Sequence, residues 1–206
     1  VLVGGCSVGL LISDMARPPV RQTIDVDMVA QAVSHSEYHK TSEQLRARGF
    51  KEASDEATMC RWKRGGLILD VLPSDQSALG HSTNPWYPDA VESARPYILP
   101  SGLKIRLITA PLFVATKFEA FHGRGEGNYL HHDMEDIVNL VDGRVELIEE
   151  VTESKDEIKK YLREAFDDLT TNEAFLDVLP GHFATDATSQ ARVAVVLERM
   201  RKLAGL

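Results

Sequence analysis

The stretch LVGGCSVGLLISDMARPPVRQTIDVDMVA, residues 2–30, decides the fold of the first half of the chain. An apolar strand at residues 1–4 meets a turn of small residues and then a helix predicted at residues 7–14. Residues 23–29 alternate apolar and acidic side chains, so they predict a second strand with one apolar and one acidic face. A strand, a glycine turn, a helix and a second strand therefore open the chain.

The acidic face of that second strand carries Asp25 and Asp27. Their carboxylates point to the same side of the strand at roughly 7 Å spacing, where they repel each other unless a cation lies between them. A polar edge strand would explain such a pair taken alone. Asp70, however, is the only charge in the apolar run at residues 67–72, and a buried aspartate needs a cation or a donor beside it. Three acids on two strands favour a metal site.

The turn after the first strand has the composition of a phosphate-binding turn. Glycines allow close approach of the backbone, and the free N–H groups at a helix start favour an anion such as a triphosphate. The residues concerned are Gly4, Gly5 and Ser7, with Ser7 also predicted as the helix N-cap. A tight turn without a ligand is the simpler alternative. Lys117, among apolar residues of a later helix, either extends to solvent or reaches a phosphate.

The rest of the chain predicts an α+β fold in which a mixed sheet is followed by a helical C-terminal part. The first part adds a helix at residues 36–48 that ends at Gly49, two strands joined by the turn at residues 64–66, a long loop at 73–96 with a short helix at 89–94, and strands near 97–99 and 103–108. The later helices cover 111–122, 132–141, 154–169 with a capping box of Ser154 and Glu157, 172–179 and 189–203. The predicted domains are residues 1–110 and 111–206.

Composition excludes several classes of protein. A net charge of -8 over 206 residues argues against coating nucleic acid by bulk positive charge. Cys6 and Cys60 lack zinc-site spacing, and no apolar run approaches the ~20 residues of a membrane span. We therefore expect a cytoplasmic protein with no membrane contact. Because the chain begins at Val1 inside a predicted strand, we also expect further native sequence before it.

A Gly-Gly/Ser turn, an Asp-x-Asp pair on the next strand and a third acid on a later strand resemble the DNA polymerase β nucleotidyltransferase superfamily. Within it, RQTIDVD at residues 21–27 and ATKFEAFHGRGEGNYLHHDMEDIVNLV at 115–141 are similar to AbiEii-type nucleotidyltransferases, toxins of toxin–antitoxin and phage-defence systems. The resemblance covers residues 1–145. Nineteen residues separate Gly5 from Asp25, longer than the usual spacing, and we place the excess in the loop at residues 17–20.

The resemblance implies a nucleotidyltransferase core completed by the helical region, and an Mg²⁺-dependent enzyme that transfers a nucleotidyl group from a nucleoside triphosphate (NTP) to a hydroxyl of an RNA, such as tRNA, or of a protein. It also implies a cognate antitoxin as partner. The implied metal ligands are Asp25, Asp27 and Asp70; these acids and Lys117 are the implied catalytic residues, with Asp70 as an acceptor of the hydroxyl proton. The implied nucleotide contacts are Gly4, Gly5, Ser7, Lys117, Arg124, Asp133 and Asp136. Under this hypothesis Lys117→Ala weakens NTP use by roughly 100-fold and changes folding little.

Two alternatives stay open. One is a degenerate nucleotidyltransferase fold that only binds a nucleotide or a partner protein. The other is a HEPN-like ribonuclease that uses Arg124 and His131. The strand-rich first half of the chain disfavours it, and the glycines at 123, 125 and 127 predict a loop around Arg124. We interpret His122, His131 and His132 as polar loop residues, since Mg²⁺ prefers oxygen ligands. Asp133 and Asp136 also suit the start of a helix without any ligand.

Overall fold

The computed structural model describes residues 1–14, 20–32, 34–53, 60–75 and 84–206. Its strands are β1 (Leu2–Val3), β2 (Val26–Ala30), β3 (Lys51–Glu52), β4 (Arg61–Arg64), β5 (Leu67–Pro73), β6 (Arg95–Ile98) and β7 (Lys104–Leu107). Its α-helices are α1 (Val8–Leu11), α2 (His35–Ala47), α3 (Tyr87–Ser93), α4 (Ala110–Arg124), α5 (His132–Gly143), α6 (Leu147–Thr152), α7 (Asp156–Thr171), α8 (Glu173–Val178) and α9 (Ala187–Ala204). Short 3-10 helices cover Gly5–Ser7 and Leu179–His182.

The strands form one mixed sheet in the order β3-β4-β5-β2-β1-β7-β6. The pairs β2–β5 and β1–β7 are parallel, and the other neighbours are antiparallel. The predicted α+β class, a mixed sheet followed by helices, is therefore confirmed. The parallel β2–β5 pair positions the candidate site. It places β2, which carries Asp27, directly beside β5, which carries Asp70.

The chain divides into two compact units. The sheet unit comprises Val1–Ser7 and Arg21–Thr109, and the helical unit comprises Val8–Val20 and Ala110–Leu206. The segment that follows the glycine turn thus belongs to the helical unit and not to the sheet.

In the sheet unit, β4 and β5 form a hairpin because Gly65 and Gly66 permit a two-residue turn, with Gly65 at φ +58°. The fully buried Trp62 of β4 lies under Arg46 of α2, whose guanidinium is 5.4 Å from the indole centroid. Helix α2 starts at an N-cap serine, Ser34, and ends before Gly49, whose φ of +82° suits the position after a helix end. The expected end of this helix is confirmed.

The helical unit is built around apolar stripes at helical spacing. In α7 the buried residues recur every three or four positions, at Ile158, Leu162, Phe166 and Leu169. Phe166 meets Phe118 of α4 edge to face, with ring centroids 5.2 Å apart. This apolar core fixes α4 against α7 and thereby the register of the polar residues on α4.

Residues 8–14 are fastened to the end of α5 within the same unit. The N–H groups of Ser13 and Asp14 donate to the carbonyl of Gly143 at 3.0 and 2.9 Å. Arg192 of α9 donates through Nε to both carboxylate oxygens of the buried Asp142 at 2.9 Å and through Nη2 to Asp14 at 3.0 Å. Two backbone hydrogen bonds and one charge-assisted contact, from Arg192 to Asp14, therefore anchor the segment that follows the glycine turn.

Several predicted details of the N-terminal region are wrong. The helix expected at residues 7–14 is a 3-10 turn at Gly5–Ser7 followed by the single turn α1. Ser7 is not an N-cap, because its hydroxyl donates back to the carbonyl of Gly4 at 2.7 Å. The second strand begins at Val26, three residues later than expected. Residues 17–19 of the loop assigned to the long spacing lie outside the described residues.

Other corrections concern the second half. The capping box of Ser154 and Glu157 is not formed, since α7 begins at Asp156 and the Ser154 hydroxyl donates to the Glu150 carbonyl of α6 at 2.7 Å. Helix α4 continues to Arg124, so position 123 is helical and not a loop. Sequence patterns also missed β3, α6 and the 3-10 helix Leu179–His182. The short helix expected at 89–94 is α3, and residues 76–83 of the expected long loop are outside the described residues.

None of the described helices is both long and apolar enough to cross a membrane.

Candidate active site

The sheet unit aligns acidic and basic side chains in one row across three strands. Asp27 of β2 is the register partner of Asp70 on the parallel strand β5, and Asp70 is in turn the partner of Arg61 on β4. Register partners project to the same face of a sheet. Asp25 precedes Asp27 by two residues and adds a third carboxylate. The expectation that Asp70 is carried beside the acidic pair is met by the strand order.

Arg61 is the cation within this row, and sequence reasoning missed it. Its Nε donates to Oδ1 of Asp70 and its Nη2 to Oδ2, both at 2.8 Å, which is a bidentate ion pair. The same Nη2 reaches Oδ2 of Asp25 at 3.2 Å. The side chains of Arg61, Asp70 and Asp25 are 18%, 8% and 28% exposed. One guanidinium therefore links two of the three predicted metal ligands in a half-buried setting.

The glycine turn lies directly against Asp27. Gly4 has φ +66°, and a Cβ placed on it would lie 1.9 Å from Oδ2 of Asp27, so only glycine fits there. Ser7 is fully buried, and its N–H and hydroxyl both donate to the carbonyl of Gly4. The structure thus brings together Gly4, Gly5, Ser7 and Asp27, and it gives Ser7 the role of holding the turn closed.

Cys6 of the same turn remains a thiol. Burial raises the pKa of Cys6, and the negative charges of Asp27 and Asp25 raise it further, although a hydrogen bond from the Asp27 backbone opposes this. A thiol with a raised pKa is a poor nucleophile and a poor metal ligand. The chemistry of the turn therefore rests on its backbone and on the neighbouring carboxylates.

The donor set suits a hard divalent cation, because Mg²⁺ prefers carboxylate oxygens. The carboxylate oxygens of the three predicted ligands do not converge on one common point, however. Among the described residues, the one group of three or more His, Cys, Asp or Glu side chains with donor atoms within 4.8 Å of one another is His131, His132 and Asp133. The carboxylates fit the ion chemically, but Asp70 has both of its oxygens bonded to Arg61 and Asp25 has one.

A second charged cluster belongs to the helical unit and surrounds Lys117 of α4. The Lys117 ammonium lies 2.9 Å from Oδ1 of Asp133 and 2.7 Å from Oδ2 of Asp136, both on α5. Arg124, the last residue of α4, adds a bidentate contact to Asp133 at 2.7 and 2.9 Å. The side chains of Lys117, Asp133 and Asp136 are 6%, 0% and 1% exposed. Two cations and two carboxylates neutralise each other inside the helical unit.

This network stabilises the ionised form of Asp133. Burial by itself would raise the pKa of the Asp133 carboxyl, but the hydrogen bonds from Arg124 and the charge of Lys117 outweigh it and hold that pKa well below its ordinary value. Asp133 is therefore a carboxylate at neutral pH. Its oxygens are already bonded to Lys117 and Arg124, so it orients these cations.

The two histidines beside Asp133 belong to the helix start and are not loop residues, which corrects the prediction for them; His122 likewise lies within α4. His131 is the N-cap of α5, where its Nδ1 accepts the N–H of Asp133 at 3.2 Å. Burial lowers the pKa of His132, against the opposing charge of Asp133. The capping hydrogen bond occupies Nδ1 of His131, and Lys117 and Arg124 occupy the carboxylate of Asp133. These side chains therefore stabilise the start of α5 rather than bind a metal.

Each predicted site residue thus lies in one of two clusters. The sheet unit carries Gly4, Gly5, Ser7, Asp25, Asp27 and Asp70, and the helical unit carries Lys117, Arg124, Asp133 and Asp136. The register of the β4–β5 hairpin is the signal that identifies Arg61 from sequence. Counting four residues outward from each side of the Gly65-Gly66 turn sets Arg61 opposite Asp70.

Comparison with solved structures shows a likeness of fold. No family model matches the chain, and no curated protein sequence is significantly similar to it. The crystal structure of an antigenic nucleotidyltransferase-like protein from Paracoccidioides brasiliensis is similar to this chain at 21% identity with a TM-score of 0.48, over 82% of this chain and 79% of that one. The functional interpretation therefore rests on the chain's own residues.

Proposed function

We propose that the protein is an Mg²⁺-dependent nucleotidyltransferase whose site is built on the sheet unit. The observation that carries the proposal is the seating of Asp27: its carboxylate lies against Gly4 of the turn, and its register partner on the neighbouring parallel strand is Asp70. A glycine turn that allows close approach of the backbone, beside paired carboxylates, suits a polyphosphate chain and the cation that accompanies it.

Each residue has a distinct proposed role. Asp25 and Asp27 would hold the magnesium ion, and Asp70 would be a further ligand once its contact with Arg61 is broken. The backbone of Gly4 and Gly5 faces the triphosphate, while Ser7 keeps the turn closed. When bound, the metal supplies charge stabilisation for the entering and leaving oxygens of the transferred phosphoryl group. Asp70 would accept the proton of the hydroxyl that attacks the α-phosphorus, and the bond to the β-phosphate breaks to release pyrophosphate.

For the helical unit by itself, the sequence resemblance gives the proposal that Lys117 and Arg124 contact phosphate. Asp133 and Asp136 are positioning residues in this proposal, because they are buried and hold the Lys117 ammonium at 2.9 and 2.7 Å. The Lys117 ammonium is already paired with two buried carboxylates, so a phosphate would bind it only in exchange for one of them. The same contacts give Lys117 a structural role as well.

The finer part of the proposal comes from the sequence resemblance of residues 1–145 to AbiEii-type nucleotidyltransferases, for which no family model matches the chain. We propose an RNA, such as tRNA, or a protein as the hydroxyl acceptor, and a toxin–antitoxin setting with a cognate antitoxin as partner. A cytoplasmic location belongs to the same proposal, since NTPs are available there and Cys6 and Cys60, both free in the structure, would stay reduced.

One experiment tests the proposed reaction. The protein is incubated with each α-³²P-labelled NTP, Mg²⁺ and either total RNA or total protein of the source cell, and label in the macromolecular fraction is counted. We expect Asp27→Asn to abolish transfer and Asp156→Asn, a matched change at an exposed helix start, to leave it intact. Transfer that survives Asp27→Asn, or that His131→Ala abolishes instead, would reject this assignment.

A second candidate is a nucleotide- or partner-binding protein without catalysis, and the bidentate Arg61–Asp70 pair favours it. In that case a nucleotide binds but no label is transferred from any of the four NTPs to either fraction. The HEPN-like ribonuclease has no such support, because Arg124 is bonded to Asp133 and His131 caps α5.

A further inference from the structure

The feature behind this inference is the position of Arg61 among the proposed metal ligands. Its guanidinium bonds both oxygens of Asp70 at 2.8 Å and one oxygen of Asp25 at 3.2 Å. It therefore occupies the place that a divalent cation needs. A metal ion bonded to the same oxygens would stand within a few ångströms of a fixed positive charge, which opposes its binding.

We propose that Arg61 is an exchangeable cation: it holds Asp70 in the free protein, gives it up to the metal, and then binds a phosphate oxygen of the nucleotide. The inference rests on the proposed function. The guanidinium suits both states, since its planar fork matches a carboxylate and a phosphate equally well and it never loses its charge. Its 18% exposure leaves it partly accessible at its present position.

The exchange makes metal binding depend on the polyphosphate. Without an anion to receive the guanidinium, the metal must compete with Arg61 for Asp70, so it binds weakly. With a polyphosphate present, the same guanidinium gains a new partner when it leaves Asp70. The site would thus take up the metal together with the nucleotide and would hold little free metal in between.

The test uses Mn²⁺ as a spectroscopic substitute for Mg²⁺ and tripolyphosphate as a probe that needs no knowledge of the base. Mn²⁺ binding is measured by electron paramagnetic resonance without and with tripolyphosphate, in the unmodified protein and in Arg61→Gln. We expect Arg61→Gln to bind Mn²⁺ alone roughly tenfold more tightly, because Asp70 and Asp25 then lack their shared cation. We expect it to bind the Mn²⁺–tripolyphosphate complex roughly tenfold more weakly.

The exchange predicts that Arg61→Gln raises the affinity for Mn²⁺ alone and lowers the affinity for the Mn²⁺–tripolyphosphate complex. If Arg61 had only a structural role, its loss would weaken both affinities. Arg64→Gln is the matched control, because it removes the same charge from the other end of the same strand, and it should change neither titration. Arg61→Lys keeps a positive charge and supports folding. Its affinities for Mn²⁺ and for the Mn²⁺–tripolyphosphate complex should lie between those of the unmodified protein and those of Arg61→Gln. If Arg61→Gln leaves Mn²⁺ affinity unchanged or weakens it, the exchange is refuted.

Asp27→Asn separates this inference from the proposed function. If it weakens Mn²⁺ binding while Arg61→Gln has no effect, the metal site stands and only the exchange fails. If Asp27→Asn leaves Mn²⁺ binding unchanged, the metal site of the proposed function is rejected, and the exchange with it. Thermal melts of each variant verify that the measured protein is folded.

Discussion

Replacing Lys117 by methionine should destabilise the helical unit strongly. Methionine keeps most of the side-chain volume but removes the ammonium that lies 2.9 Å from Asp133 and 2.7 Å from Asp136. Both carboxylates are buried, so they would lose a compensating charge without gaining water. Removing one partner of a buried ion pair typically costs about 3–5 kcal/mol.

Asp133 retains the bidentate contact of Arg124, which limits its share of the loss, whereas the Lys117 contact of Asp136 is removed outright. We therefore expect a loss of about 3–5 kcal/mol in the free energy of unfolding. For a chain of this length, that corresponds to a fall in Tm of about 6–20 °C. This differs from the expectation based on sequence, in which a lysine among apolar residues could be removed with little effect on folding.

The assay is urea unfolding followed by circular dichroism at 222 nm, with thermal melts in parallel. Lys202→Met is the matched control, because its ion pair with Glu198 is exposed to solvent and should contribute little to stability. The double variant Lys117→Met/Asp136→Asn should regain part of the loss, since it also removes a buried charge. A Lys117→Met protein within about 1 kcal/mol of the unmodified one would refute the reasoning that this network stabilises the fold.

Two further predictions concern the glycine turn and the acid stability of the helical unit. Gly4→Ala should abolish label transfer and lower Tm more than Gly102→Ala, because both positions have positive φ but only at Gly4 would the new Cβ collide with Asp27; equal Tm shifts would contradict this. The pKa of Asp133 is lowered in the folded state, so its contribution to stability is complete above about pH 5 and is lost as the pH falls through the unfolded-state value near 4 and below. Urea midpoints measured from pH 7 to pH 3 should consequently fall less steeply for Asp133→Asn, and parallel curves would contradict the assignment.

The sheet half shows what an alternating pattern can and cannot predict. The alternation of β2 places Asp25 and Asp27 on one side, but it does not tell which side faces water. In the structure the apolar side is the more exposed one, with Ile24 83% exposed and Met28 36%. The face of the sheet that carries the acids also carries the buried Asp70. Its charge is tolerated there because Arg61 pairs with it. Such a partner depends on cross-strand register, and only the short β4–β5 turn made that register predictable.

In the helical half, spacing predicted the long helices but not the partners of their polar residues. Lys117 and Asp133 are sixteen positions apart, and no periodic pattern links two different helices at that distance. The end of α4 was placed too early because glycine is a poor helix former, yet packing carries the helix through position 123 to Arg124. The failed capping box at Ser154 has a similar cause, since α6 ends there and takes the serine hydroxyl for its own carbonyl.

The most direct measurement of the central claim is the position of the metal. Crystals of the protein grown with Mn²⁺ and tripolyphosphate, measured at the manganese absorption edge, would locate the ion by its anomalous signal. The account predicts a peak at bonding distance from the carboxylate oxygens of Asp25 and Asp27, beside the Gly4 turn, with Arg61 moved off Asp70. A peak at His131 and Asp133 instead, or none near Asp27, would contradict it.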